Sequence, residues 1–317
     1  MSIGGGSVVA VTNAAVISTG ADHTDLGAAM HGIAAQSVGG GGGNQIVVVD
    51  GTVSSPDSGG ALSVGLGLTG SGSGSGSTVS VTSSGAVSTL GAGSVGLLAQ
   101  SVVGGGGMAT TTLAGTESGG NESGISFRLA GGSGAGGNAS VTNSGTVVTG
   151  ASDLTGTASL ANAHGLFVQS VGGGGGLADL SGSVLFDNND GLSVVLGGSD
   201  ASGAGGSASA TNTGGIATWN DASHGVFAQS VGGGGAFGNL GGLGSADAWK
   251  ASLALGTKGG SGNGGAVTIT NGESGGSGIT GQVTTAGNGA HALVCLSRSA
   301  PAERWPSGRR CSPAKRV

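Results

Sequence analysis

Residues 164–176 read His164-Gly-Leu-Phe-Val-Gln-Ser-Val followed by five glycines, and this stretch decides the fold. Leu-Phe-Val-Gln-Ser-Val is a short apolar, partly β-branched run bounded by glycine, which reads as a buried strand. Three more copies are present: HGIAAQSVGGGGG at 31–43, GLLAQSVVGGGG at 96–107 and HGVFAQSVGGGG at 224–235. Their glutamines, Gln36, Gln100, Gln169 and Gln229, are spaced by 64, 69 and 60 residues. A second motif precedes each copy: VTNAAVIST (11–19), VTSSGAVST (81–89), VTNSGTVVT (141–149) and ATNTGGIAT (210–218), with ITNGESGGS (269–277) opening a fifth. Thr12, Thr82, Thr142, Thr211 and Thr270 in these copies keep nearly the same spacing. Period and order persist together, so the chain is a tandem array.

Outward from these motifs the periodicity remains that of strands. SVTNSGTVV reads as two short β-runs separated by Asn-Ser-Gly, and LSVVL is another run of the same kind. No segment keeps helical spacing over ten or more residues, and interior glycine weakens a helix by about 1 kcal/mol per position. Strands this short bury a face only by stacking on their neighbours. The expected fold is all-β, a parallel β-helix (β-solenoid) built from tandem repeats of roughly 60–70 residues. At roughly 20 residues per coil each repeat would hold about three coils. With about 4.8 Å per coil the rod would be on the order of 65–70 Å long. The glycine runs are expected at corners needing positive φ or close backbone approach, the alternative being loops that leave the stack.

Composition excludes most other classes. Among 317 residues there are 78 glycines, 3% aromatic and 8% charged residues, and no tyrosine, against roughly 25% charged in ordinary soluble domains. Four prolines are too few for collagen. A mean hydropathy of +0.24 argues against a charge-driven disordered chain. No run of 18 apolar residues forms a membrane-spanning helix. Residues 295–317 hold six of the nine Lys/Arg, both cysteines (Cys295, Cys311) and three of the four prolines. The body, 1–294, keeps only Arg128, Lys250 and Lys258 as basic side chains. Such a body repels nucleic acid, which is not an expected partner.

The candidate sites are the repeated polar positions. His31, His164 and His224, joined by His291, fall at one place in the repeat, with Val95 in the second copy. With three coils per repeat they would lie roughly 14 Å apart at about 4.8 Å per coil, too far to share a metal ion. They are expected to be structural turn residues, and the unrepeated His23 to be exposed. Gln36, Gln100, Gln169 and Gln229, with their serines, resemble a binding array. Buried amides must be satisfied, and here they are expected to bond the backbone of adjacent coils. Asn13, Asn143 and Asn212, with Asn271, are expected at turns. GxGxxG matches carry no weight at this composition, and GxxxxGK[ST] and regular GGxGxD repeats are absent. Asp187-Asn188-Asn189-Asp190-Gly191 lacks EF-hand spacing and reads as a polar turn. Acids are scattered singly, so no catalytic set, metal site or cofactor is expected. Trp219 and Trp249 plug the core or sit exposed.

Tandem HGxxxQSVGGGGG segments alternating with VTNSGx[IV]xT resemble the passenger regions of bacterial autotransporters, the type V secreted proteins. The resemblance covers 1–294 and implies a right-handed parallel β-helix displayed on a Gram-negative cell surface, exported after an N-terminal signal through a C-terminal outer-membrane β-barrel. Residues 1–13 read as the interior of a repeat and carry no signal peptide. After His291-Ala-Leu-Val, position 296 is leucine where the motif calls for glutamine. Permissible codons for 295–303, shifted by two bases, restore Gln-Ser-Val-Gly-Ala-Gly-Gly. Residues 295–317 are therefore expected to be a basic, non-homologous, frameshifted and disordered tail. The resemblance implies a non-catalytic, adhesin-like or self-associating surface fragment, with host or neighbouring-cell surface molecules or further copies as partners. The alternatives are a truncated product without independent function and a carbohydrate-active β-helix.

Overall fold

The computed structural model describes residues 5–20, 30–40, 43–50, 53–55, 61–66, 74–103, 107–119, 124–129, 132–150, 161–185, 191–196, 202–235, 237–241, 250–255, 261–272 and 280–299. His23, Trp249, Lys258, Asp187 to Asp190 and residues 300–317 lie outside this set.

Strands form where the sequence alternates small or β-branched apolar residues with Ser and Thr, and they stop at Asn, Gly and Ser. The first repeat supplies β1 (Val9–Asn13), β2 (Ile17–Thr19), β3 (Ile33–Val38), β4 (Gly43–Asp50), β5 (Val53–Ser55) and β6 (Ala61–Leu66). The second supplies β7 (Val79–Ser83), β8 (Val87–Thr89), β9 (Leu97–Val102), β10 (Gly107–Gly119) and β11 (Gly124–Leu129). The third gives β12 (Ala139–Asn143), β13 (Val147–Thr149), β14 (Leu166–Val171), β15 (Gly176–Leu185) and β16 (Gly191–Leu196). The fourth gives β17 (Ala208–Asn212), β18 (Ile216–Thr218), β19 (Val226–Val231), β20 (Phe237–Gly241) and β21 (Lys250–Leu255). The fifth contributes β22 (Val267–Asn271), β23 (Val283–Thr285) and β24 (Leu293–Arg298).

These strands pair only with their counterparts in adjacent repeats, always in parallel, to make five sheets. Sheet I runs β1-β7-β12-β17-β22, sheet II β2-β8-β13-β18-β23 and sheet III β3-β9-β14-β19-β24. Sheet IV runs β4-β10-β15-β20, with β5 pairing the far end of β10, and sheet V runs β6-β11-β16-β21. The register is copy on copy: Gln36 faces Gln100, Gln100 faces Gln169, and Gln169 faces Gln229.

One repeat is therefore one layer, which corrects the expectation of three coils per repeat. The five layers span about 19 Å at about 4.8 Å per step, well short of the rod expected from the sequence. The physical reason lies in sheets IV and V, which lengthen each turn of chain beyond the three strands the motifs reveal. Across residues 294 and 295, β24 continues without a break, with Leu296 at the register position of Gln229.

The inward faces of sheets I to III share one apolar core, which includes Val79, Val81, Val87, Leu97, Val141, Val147, Leu166, Ile216 and Val226. In layers 2 to 4 sheet III is buried on both faces. Its outer face carries a second cluster of Leu98, Phe167 and Phe227, covered by Met108 and Leu177 at the start of sheet IV. Phe167 and Phe227 stack at 4.9 Å and 7°. Burying side chains of this size contributes roughly 1.5–3 kcal/mol each.

Glycine is required where layers touch. A Cβ on Gly96 would lie 2.7 Å from the Gly165 carbonyl oxygen, and one on Gly165 2.5 Å from that of Gly225. This explains the glycine at this position in the first four repeats, Gly32, Gly96, Gly165 and Gly225, where the fifth has Ala292. The glycine runs of layers 3 and 4 form the corner between sheets III and IV, with Gly173 and Gly233 at φ +78° and +76°. They are bonded across layers, Gly234 N–H to the Gly172 carbonyl at 2.7 Å and Gly235 N–H to that of Gly174 at 3.0 Å.

Candidate functional site

The repeated polar side chains form columns that run through the layers. His31, His164 and His224 are each delivered by a turn that a threonine closes. At the end of β2, β13 and β18, the hydroxyls of Thr19, Thr149 and Thr218 donate to the carbonyls of Met30, Ala163 and Ser223 at 2.7, 2.5 and 2.7 Å. Those three residues directly precede His31, His164 and His224. Met30 N–H and Ala163 N–H in turn donate to Ser94 Oγ and Ser223 Oγ of the following layer, at 3.0 and 2.9 Å.

Three of the four repeated imidazoles accept a bond from the next layer. His31 Nδ1 accepts Val95 N–H at 3.0 Å, His164 Nδ1 accepts His224 N–H at 3.1 Å, and His224 Nδ1 accepts His291 N–H at 3.2 Å. An accepting Nδ1 carries no proton, so these rings are neutral with the proton on Nε2. The rings of His164 and His224 stack at 5.1 Å and those of His224 and His291 at 5.3 Å. One layer per repeat thus replaces the wide separation expected of three coils. Burial pushes the pKa of His31 down to about 4. His164 is pushed down to about 3 by burial and then by the neighbouring His224 and His31. His224 falls to about 4 through burial and His291. Among the described residues no three His, Cys, Asp or Glu side chains gather as a metal site.

The glutamines form an amide ladder between sheet III and the start of sheet IV. Gln36 Nε2 donates to Gln100 Oε1 at 2.7 Å, Gln100 to Gln169 at 2.7 Å, and Gln169 to Gln229 at 2.8 Å. Their partners are one another, where backbone had been expected, because the layers place equal residues side by side. Gln100 Nε2 also reaches the Gly107 carbonyl at 3.3 Å. Gln100, Gln169 and Gln229 are buried, whereas Gln36, at the layer 1 end of the ladder, is half-buried.

Asparagine does two things at once. Asn143 Nδ2 donates to the Gly145 carbonyl at 3.0 Å within its own turn and to Asn212 Oδ1 at 2.8 Å. Asn212 repeats this with Gly214 at 3.1 Å and Asn271 at 2.8 Å. Asn13 bonds the Ala15 carbonyl at 2.9 Å and Ser83 Oγ at 3.2 Å. Ser83 interrupts the column and leaves Asn143 Oδ1 without a partner.

Two roles were not read from the sequence. One is the threonine clasp, made by Thr19, Thr149 and Thr218 but not by Thr89, although a threonine ends the first four copies of the second motif and so gave a signal. The other is the serine after each glutamine. Ser170 Oγ donates to the Gly137 carbonyl at 2.7 Å and accepts Gly206 N–H at 2.8 Å, fastening sheet III to the lead-in of sheet I. Ser230 does the same with Gly206 and Gly265, both at 2.7 Å. Trp219, directly after Thr218, is half-buried and donates its backbone N–H to the Thr149 carbonyl at 3.1 Å.

Chemically, the columns hold layers together: their donors and acceptors face the adjoining repeat. Comparison of the chain with protein-family models, with curated proteins and with solved structures finds no match to any of them.

Proposed function

We propose that this chain is a stretch of bacterial autotransporter passenger: a parallel β-helix (β-solenoid) displayed on a Gram-negative cell surface, non-catalytic, and used for adhesion or self-association. The observation that carries the reading is the copy-on-copy register of the HGxxxQSVGGGGG segments. A scaffold whose histidines, glutamines, asparagines and serines are engaged between layers is built for length and rigidity. A parallel stack extends by adding repeats, each burying the edge of the last. Repeated use of one motif suits a displayed stalk, which needs reach and an exposed surface and has no use for a single reactive centre. In this reading an outer-membrane β-barrel of the parent exports and anchors the passenger.

The reading is tested by antibodies raised against the layer 3 segment, applied to intact cells that carry the gene. Labelling of intact cells, abolished by external protease without lysis, is the expected result. Labelling that appears only after permeabilisation and resists external protease overturns it.

A further inference from the structure

The histidine column has a property that the amide and asparagine columns lack, because its acceptors can be withdrawn by a proton. His31, His164 and His224 each hold the following layer through an unprotonated Nδ1. An imidazolium donates from both nitrogens and cannot accept a backbone N–H. Protonation therefore converts each bridge into two donors facing each other, and in layers 3 to 5 it sets like charges on rings stacked at 5.1 and 5.3 Å. The packing around the rings is largely apolar. The rings of Phe167 and Phe227 lie 5.7 Å from His164 and 5.8 Å from His224, respectively. Val95, at the same position in layer 2, packs with Leu98, Met108 and Leu177. Asp221 is the carboxylate on the turn before His224. It is exposed and accepts Asn288 N–H at 2.7 Å.

We propose that this column is an acid-sensitive joint: neutral imidazoles clasp layer 1 to layer 2, layer 3 to layer 4 and layer 4 to layer 5, and protonation releases the clasps and opens the stack. The sign follows from linkage. Above the ordinary histidine value of 6.5, folded and unfolded chains are both neutral at these positions and stability is complete. As pH falls below 6.5 the unfolded chain binds protons that the folded chain refuses, until about 4 for His31 and His224 and about 3 for His164. Stability is therefore lost as pH falls through that window.

The test is urea unfolding of the full chain at pH 7.5 and 5.5, an interval above the usual carboxylate range. Three such histidines lower the folding equilibrium constant about a thousand-fold between these values. Replacing two of them, in His164→Val with His224→Val, leaves about a tenfold change. Val95 shows that valine is accommodated at this position in layer 2. Should the double variant fail to fold, proton uptake on unfolding of the unaltered chain at pH 5.5 serves instead, with two to three protons expected. A wild-type equilibrium constant that stays constant across the interval, a double variant with the wild-type slope, or uptake well below one proton overturns the proposal.

Discussion

At the residue scale, the chain obeys a rule of likeness. A side chain at one position meets the same side chain from the neighbouring repeat, so a residue is retained when it bonds well to itself. Glutamine and asparagine meet that demand because an amide both donates and accepts. Neutral histidine meets it in another way, accepting a backbone N–H at Nδ1 while stacking ring on ring. Glycine is the limiting case, retained where any side chain would enter the adjacent layer. This separates two glycines that look alike in the sequence. Gly165 faces the Gly225 carbonyl and Ile216 Cγ2, so that a Cβ would stand 2.5 and 2.6 Å from them, whereas Gly215 has nothing within 4 Å. Gly165→Ala is expected to destabilise the chain by roughly 1–3 kcal/mol through overpacking. Gly215→Ala should be neutral or stabilising by about 0.4–1 kcal/mol, because it restricts the unfolded chain. Denaturant midpoints of the two variants check this, and equal losses would refute the close-approach argument.

At the element scale, the strands were legible and the layer was not. Ser-Val-Thr and Val-Val-Thr on either side of Asn-Ser-Gly marked β12 and β13, and Leu166 to Val171 marked β14. The positions of Gln36, Gln100, Gln169 and Gln229 were legible too, as one point in each repeat. What they do there was not, because the notion of three coils put non-equivalent residues between the copies. Long strands such as β10, Gly107–Gly119, carry no repeated motif, so their share of the turn was hidden. One signal was present. No similarity recurs at the length of a single coil within a repeat, and only equal residues at adjacent levels can build an amide ladder. The layer length has a direct test by deletion. Removing residues 101–169 joins Gln100 to Ser170 and excises one period of 69 residues. Removing 101–120 excises about the length of one coil in the three-coil scheme. The first variant is expected to retain the strand signal in circular dichroism and to melt cooperatively at lowered stability. The second removes β10 outright with the end of β9, leaving layer 2 without its sheet IV strand and without the bonds it makes to β4 and β15, and should lose both. Equal tolerance of the two deletions would speak against one layer per repeat.

At the scale of the whole molecule, the same likeness that holds the layers also exposes their outermost members. Among the described residues the large hydrophobics with most exposure are Val8 at 70%, Val16 at 78%, Leu293 at 46% and Leu296 at 41%. The first two flank the strands of layer 1 and the last two lie in β24, so all four mark the outer edges of the stack. The edge of layer 1 and that of layer 5 carry like residues in two columns, Asn13 with Asn271 and His31 with His291, while Leu296 stands at the position of Gln36. Edges of this kind template pairing with further strands. A layer 5 edge meeting a layer 1 edge makes a heterologous contact that does not close and so propagates. The chain is therefore expected to associate at tens of micromolar, giving a broad, concentration-dependent distribution in sedimentation velocity. Lysine on an edge blunts such pairing by placing charge where the partner's backbone must approach. Val16→Lys combined with Leu293→Lys should shift the distribution towards monomer while leaving the thermal transition of the interior layers in place, since neither side chain belongs to the buried core. A stable wild-type monomer at that concentration, or association unchanged by the two lysines, would show that the outer edges are not where copies meet.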